Sequence, residues 1–287
     1  MKVAVIGAGR VGTAVAVLLG RVGHRIVGVS GRDETRGRAG AHLPGVPVLE
    51  FGEAPVGAEL VVIGTPDDAI EPTVVALAAA GALAPGAWVM HLSGSLGLDA
   101  LRAVRDAGAR RLALHPLQTF PDVGAALDGL PGSWIAVTAD DEEGTRLGER
   151  LAGDLQGVPF VLADELRSLY HAGAVFASNA LVTVSAIAES LFIAAGVPDP
   201  RAAMAPLQRA SLAHVEALGP ARALTGPAVR GDAGTIRRNL EALGRQAPEV
   251  VPVYVALARS ALQLAARSGR VPPTSRAAVE DVLTEWT

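Results

Sequence analysis

The residues in this sequence best suited to chemistry are two histidines, an asparagine and an arginine. Tyr170-His171-Ala172-Gly173-Ala174-Val175-Phe176-Ala177-Ser178-Asn179 opens a long helical pattern. His171, Val175 and Asn179 are spaced by four, which places them on one helical face. A His and an Asn in an otherwise Ala/Val helix need partners or a ligand to offset burial. His115, in His115-Pro116-Leu117-Gln118-Thr119-Phe120, follows a strand-like run, as does His91 in His91-Leu92-Ser93-Gly94-Ser95. An imidazole titrates near neutrality and can therefore move a proton at physiological pH; His91 reads as structural, His115 as open to either role. Arg230, in the loop Leu224 to Asp232, can clamp a carboxylate through two parallel donors, whereas Asp232 reads as the cap of the next helix. Arg167, one turn before His171, is either a positive charge beside the substrate or a solvent-facing residue.

A second group of residues reads as a cofactor site. Gly7-Ala8-Gly9-Arg10-Val11-Gly12 directly follows the strand-like Val3-Ala4-Val5-Ile6 and opens a helix, the context that the G-x-G-x-x-G pattern requires. Gly7 permits the tight turn, Gly9 a close approach of backbone to pyrophosphate, and Gly12 close packing of helix on strand. The free N–H groups of the first helical turn, at Arg10 and Val11, then face the phosphates. The second strand ends at Ser30-Gly31-Arg32. An NAD site usually places an acid there, whereas an arginine beside a hydroxyl suits a 2′-phosphate, so Ser30 and Arg32 point to NADP rather than NAD, with Arg36 as reinforcement and Asp33 as the alternative ribose ligand. Thr65, Pro66 and Asp67 follow the next buried strand and would shape the floor of the same site; Asp67 or Asp68 is alternatively a helix N-cap.

These residues need a scaffold. Short apolar runs without polar alternation, at 3–6, 26–29, 60–63, 88–90, 112–114, 134–137 and 159–162, read as strands buried on both faces of a parallel sheet. After Ala163 the pattern becomes Ala/Leu-rich and helical, with helices expected at about 165–195, 200–218, 232–243, 248–268 and 273–283. The expected fold is α/β, a doubly wound parallel Rossmann sheet (1–163) followed by an all-helical C-terminal domain (164–287) for substrate binding and dimerisation. The net charge of -4 and the absence of cysteine argue against nucleic-acid binding, disulfides and thiolate chemistry. No metal site is expected. The apolar stretches 74–90 and 181–197 are broken by Gly-Pro or Glu189, and Arg10 interrupts the N-terminal run, so a cytoplasmic protein with no membrane helix is expected. Few charges in the helical half suggest a homodimer.

Taken together, the segments 170–179, 224–232 and 115–120 resemble a bacterial family of Rossmann-like proteins with a helical C-terminal domain of formerly unknown function. The resemblance spans nearly the whole chain. It implies an NADP-dependent reductase related to ketopantoate reductase, pyrroline-5-carboxylate reductase and the β-hydroxyacid dehydrogenases, with a C-terminal domain like that of 6-phosphogluconate dehydrogenase. The leading substrate it implies is ketopantoate, a small 2-keto acid. Classical members use a lysine on the first interdomain helix, but Lys2 is the only lysine here. His171 then becomes the expected proton donor, Asn179 the group orienting the carbonyl, and His115 and Arg230 further site residues. The alternatives are a non-catalytic dinucleotide sensor, or a reductase of an imine or deazaflavin.

Overall fold

The computed structural model describes residues 1–287. Each strand-like run becomes a strand: β1 (Lys2–Ile6), β2 (Arg25–Ser30), β3 (Leu60–Ile63), β4 (Trp88–His91), β5 (Arg110–Pro116), β6 (Trp134–Ala139) and β7 (Val158–Val161). They form one sheet in the order β2-β1-β3-β4-β5-β6-β7. A third Rossmann strand between β2 and β3 in sequence is reduced to a single bridge, Val48 to Val29. Alternate residues supply the two faces. Val3 and Val5 join one buried cluster with Leu60, Val62, Met90 and Leu112, while Ala4 and Ile6 join the other with Val61, Ile63 and Val89.

The sheet departs from the expected parallel pattern at one pair, because β6 runs antiparallel to β5. In the first unit, α1 (Arg10–Arg21), α2 (Glu34–His42), α3 (Asp67–Ala79) and α4 (Arg102–Asp106) precede β5, and α5 (Val123–Gly129) follows it. β6 starts where β5 ends, with the Leu117 N–H donating to the Trp134 carbonyl, and α5 spans about 10 Å at 1.5 Å per residue. After α6 (Glu142–Asp154), capped by Asp141, β7 pairs parallel to β6.

From Asp164 the chain is helical: a short 3₁₀ turn, α7 (Arg167–Val175), a π turn (Phe176–Ala180) and α8 (Leu181–Ala194) run on from one another. The chain divides into two compact units, Met1–Asn179 and Ala180–Thr287. The division falls inside this helical run and not at 163/164, because α7 is anchored to the sheet unit by its fully buried Arg167. Two spans, Asp164–Ala194 and Pro248–Arg267, are long and apolar enough to cross a membrane by length and composition. Sequence punctuation had suggested none, since the helix continues through the polar residues that interrupt its apolar runs.

The second unit contains α9 (Pro200–Leu218), α10 (Pro220–Ala223), α11 (Pro227–Arg230), α12 (Ala233–Gln246), α13 (Val251–Arg267) and α14 (Pro273–Thr284). Its core gathers Val229, Ile236, Leu240, Val255, Leu262, Val279 and Leu283. Between α11 and α12 the chain turns at Gly231, with φ +67°, where an added Cβ would lie 2.3 Å from the Ser275 Cβ. Left-handed backbone costs an ordinary residue roughly 1–2 kcal/mol and overpacking roughly 1–3 kcal/mol more. Gly231→Ala is accordingly expected to lower the stability of the helical unit by about 2–5 kcal/mol, read from the urea midpoint; an unchanged midpoint would mean that the turn can relax.

Candidate functional site

At the end of β1 the Gly7 N–H and the Ala8 N–H both donate to the Ser30 carbonyl, at 2.8 and 3.0 Å, which ties the glycine turn to the end of β2. Gly7 sits at φ +83° against Thr65, where a side chain would meet the Thr65 backbone at 2.6 Å. A Cβ on Gly12 would lie 2.6 Å from the Gly7 carbonyl, whereas one on Gly9 would meet nothing closer than 3.9 Å, so the loop is tight below and open above. The Thr13 N–H closes the first helical hydrogen bond, to the Gly9 carbonyl. The N–H groups of Arg10, Val11 and Gly12 are left for a ligand, as at any helix start. Across the loop, the buried Thr65 hydroxyl has no partner. An open N–H nest facing an orphaned hydroxyl fits a dinucleotide pyrophosphate and ribose.

Ser30 itself is buried, at 5% exposure, and holds the loop through its carbonyl. Arg32 and Arg36 are exposed, while Arg38, not singled out from sequence, reaches from α2 to donate to the Ala8 carbonyl at 2.9 Å. Pro66 is the N-terminal residue before α3, and no side chain caps that helix. Asp67 turns instead to the neighbouring loop, where its carboxylate accepts from the Ser93 hydroxyl at 2.7 Å and the Ser95 hydroxyl at 2.8 Å. The Ser93 Oγ also accepts from the N–H groups of Ser95 and Leu96. These bonds lock the Ser93–Leu96 turn beside the ends of β3 and β4.

Arg167 is the hub beneath that turn. Its fully buried guanidinium donates to the carbonyls of Ser93 and Leu96 and, at 2.9 Å, to the Thr138 hydroxyl, which in turn donates to the Leu162 carbonyl. It is neither the solvent residue nor the direct substrate contact that the sequence allowed. Nothing in an isolated sequence separates a buried arginine from a wet one.

His91 lies fully buried at the end of β4, with Nδ1 accepting from the Ser93 N–H and Nε2 donating to the Gly97 carbonyl, so its role is structural. Burial, and next the Arg167 charge, push its pKa down to about 4 from 6.5. A histidine held neutral in this way stabilises the fold above its unfolded pKa, and that stability is lost as pH falls from 6.5 toward 4. At 1.36 kcal/mol per pH unit the loss is roughly 3 kcal/mol. Urea midpoints measured between pH 7.5 and 4.5 should fall steeply for the wild type and less steeply for His91→Asn; parallel slopes would exclude His91 as the titrating group.

His115, at the end of β5, pairs through Nδ1 with the Tyr170 hydroxyl at 2.8 Å. The His171 ring lies 6.1 Å from it, centre to centre. Both imidazoles converge on Gly94, where an added Cβ would lie 2.7 Å from the His115 Nε2 and 2.7 Å from the His171 Cδ2. Burial, followed by the charges of Arg167 and His171, lowers the His115 pKa to about 4. Tyr170, whose side chain had been assigned no role, is thus part of the cluster. Asn179 is not. The π turn absorbs one residue more than an α turn, so the path from His171 to Asn179 makes close to two full turns and returns to the same face, but about 12 Å along the axis.

Residues 1–116 match the family model of a Rossmann-like domain, and residues 133–261 match that of a domain of unknown function, DUF2520. The chain joins a Rossmann-like domain to a DUF2520 domain. The DUF2520 match starts beside β6 and takes in Arg167, Tyr170, His171, Asn179 and Arg230. No curated protein matches the sequence. Among solved structures, a candidate NADP oxidoreductase from Bacteroides fragilis is 26% identical, with a TM-score of 0.77 over 91% of this chain and 98% of that one. A protein from Thermotoga maritima is 21% identical, TM-score 0.71, over 93% and 100% of the two chains. An imine reductase from Myxococcus stipitatus, in complex with NADP+, is 15% identical, TM-score 0.65, over 100% and 99%.

Within the helical part of the DUF2520 match, Arg230 ends α11 and is exposed, 3.9 Å from the Asp232 carboxylate. Asp232 caps α12, accepting from the N–H and hydroxyl of Thr235. The Thr225 to Asp232 motif is therefore in large part a helix-turn device: Gly226 and Gly231 both need positive φ, and Arg270 donates to the Ala221 and Leu224 carbonyls to pin the approach. A shallow depression of about 440 Å³ in this unit, lined by Ala266, Val271, Pro273, Arg276, Ala277 and Glu280, contains none of the candidate residues.

Proposed function

We propose that this chain is an NADP-dependent oxidoreductase that reduces the keto group of a small 2-keto acid, with ketopantoate as the leading candidate. One observation carries the reading. The open nest from Gly7 to Gly12 with its orphaned Thr65 hydroxyl, and the imidazoles of His115 and His171, lie along the same carboxyl edge of the sheet, where open α/β sheets bind ligands. Likeness to the candidate NADP oxidoreductase favours NADP as cofactor. So do Arg32 and Arg36, exposed beyond β2 and free to meet a 2′-phosphate.

Bound in this nest, NADPH would supply the hydride. The chain's own residues hold the carbonyl oxygen and deliver the proton: the His115 Nε2, beside Gly94, donates to the oxygen, and His171 passes a proton to it as the C=O electron pair moves onto it, regaining one from solvent. Fluorescence titration with NADPH and NADH, followed by turnover with ketopantoate and with pyrroline-5-carboxylate, tests the reading. Tight NADPH binding with ketopantoate reduction is expected. Failure to bind NADPH would sink it, and binding without turnover of either compound would favour a dinucleotide sensor.

The protein also acts, in this reading, as a homodimer. Leu169 and Phe176 on the first unit are 73% and 77% exposed, and Val182, Ile193 and Leu207 on the second are each more than 60% exposed. Lipid is a poor cover for this helix, since His171, Asn179 and Glu189 would enter hydrocarbon at high cost. Sedimentation should show a dimer in dilute buffer without detergent, and a monodisperse monomer would refute this part of the reading.

A further inference from the structure

His115 and Tyr170 lie 55 positions apart in sequence and meet at one hydrogen bond of 2.8 Å, their rings edge to face at 5.4 Å. A neutral imidazole carries a single ring proton, so the direction of this bond decides what the opposite nitrogen offers. Of the two neutral groups the phenol O–H is the stronger acid and the bare imidazole nitrogen the stronger base, so the O–H donates to Nδ1. Burial keeps each in the required state, lowering His115 to about 4 and raising Tyr170 to about 12. The other charged or titratable groups acting on His115 are Arg167, His171 and Asp67.

We infer that Tyr170 is a positioning residue: by donating to Nδ1 it fixes His115 as the Nε2–H tautomer and presents that N–H at Gly94 as a donor only. The His115 Nε2 has no partner within the chain and lies against Gly94, where a Cβ would come within 2.7 Å of it. A lone donor selects for an acceptor. A carbonyl oxygen satisfies it, increasingly so as negative charge develops during reduction, whereas a protonated imine presents another N–H and leaves two donors opposed. The Tyr170–His115 pair thus selects C=O over C=N–H⁺ substrates, a specificity that rests on the reductase reading while the tautomer itself does not.

The test is a long-range ¹H–¹⁵N correlation spectrum of the full-length ¹⁵N-labelled chain at neutral pH. The chain has 6 histidines, and the His115 signals are identified by their loss in His115→Gln. The expected wild-type pattern is a protonated Nε2 and a bare Nδ1; in Tyr170→Phe the ring should become a mixture of tautomers. A wild-type ring protonated on Nδ1, or a Tyr170→Phe spectrum identical to wild type, overturns the proposal. Should the variant fail to fold, the wild-type spectrum still decides the direction of the bond. In parallel, Tyr170→Phe should lower kcat on a 2-keto acid about tenfold or more, with KM for NADPH unchanged and the ratio of pyrroline-5-carboxylate to keto-acid turnover raised. An unchanged ratio overturns the selection. Because the spectrum requires no turnover, an inactive wild type with the expected tautomer would count against the reductase reading alone.

Discussion

Replacing His115 with phenylalanine is expected to lower kcat for 2-keto acid reduction by about 10²- to 10³-fold, the usual cost of removing one donor aimed at a developing oxyanion. Phenylalanine keeps a ring in place beside Tyr170, which itself packs at 5.8 Å on Phe160, so the pocket wall is retained while the N–H is lost. NADPH affinity should stay within about twofold of wild type, because an interaction made mainly in the transition state lowers kcat without changing cofactor binding. His115 belongs to β5, and β3 and β4 stand between it and the Gly7–Gly12 loop after β1. Steady-state kinetics beside a fluorescence titration separate the outcomes. An unchanged kcat removes His115 from the chemistry, and a parallel loss of NADPH affinity makes it a cofactor contact.

The contrast between the two groups of candidate residues has a physical basis. The glycine loop was legible because its function is a backbone shape: Gly7, Gly9 and Gly12 stand where a Cβ would clash or where the loop must stay open, and those demands are written locally. The strands were legible for a related reason, since burial on both faces leaves apolar runs of strand length. The antiparallel β6 was not, because an apolar run of strand length carries no signal of strand direction. The π turn before Ala180 was equally hidden, and it alters how far round the helix Asn179 lies from His171. Tyr170 was given no role, and Arg167 was read as a substrate or solvent charge when it is a buried hub. Their roles depend on Ser93, Leu96, Thr138 and His115, all at least 29 positions away, and no periodicity encodes such pairings.

Exchanging Arg167 for methionine is expected to destabilise the Met1–Asn179 unit by about 3 kcal/mol or more, because three acceptors lose their donors and each unsatisfied buried group costs roughly 1–3 kcal/mol. Arg167→Lys should recover only part of this, since one ammonium cannot reproduce the planar fork that reaches the Ser93 and Leu96 carbonyls and the Thr138 hydroxyl together. The pH dependence separates the lost charge from the lost packing. Arg167 is the second cause, after burial, holding both His91 and His115 near 4. Without it both pKa values rise toward 6.5, less proton uptake accompanies unfolding, and the loss of stability between neutral pH and pH 4.5 becomes shallower in Arg167→Met. Arg167→Lys keeps the charge and should retain the steep slope even though its midpoint is lower at every pH. Urea midpoints for the three proteins at pH 7.5, 6 and 4.5 provide the comparison. Equal stability of wild type and Arg167→Met would show that the guanidinium holds nothing, and parallel slopes for Arg167→Met and Arg167→Lys would show that its charge does not reach the imidazoles.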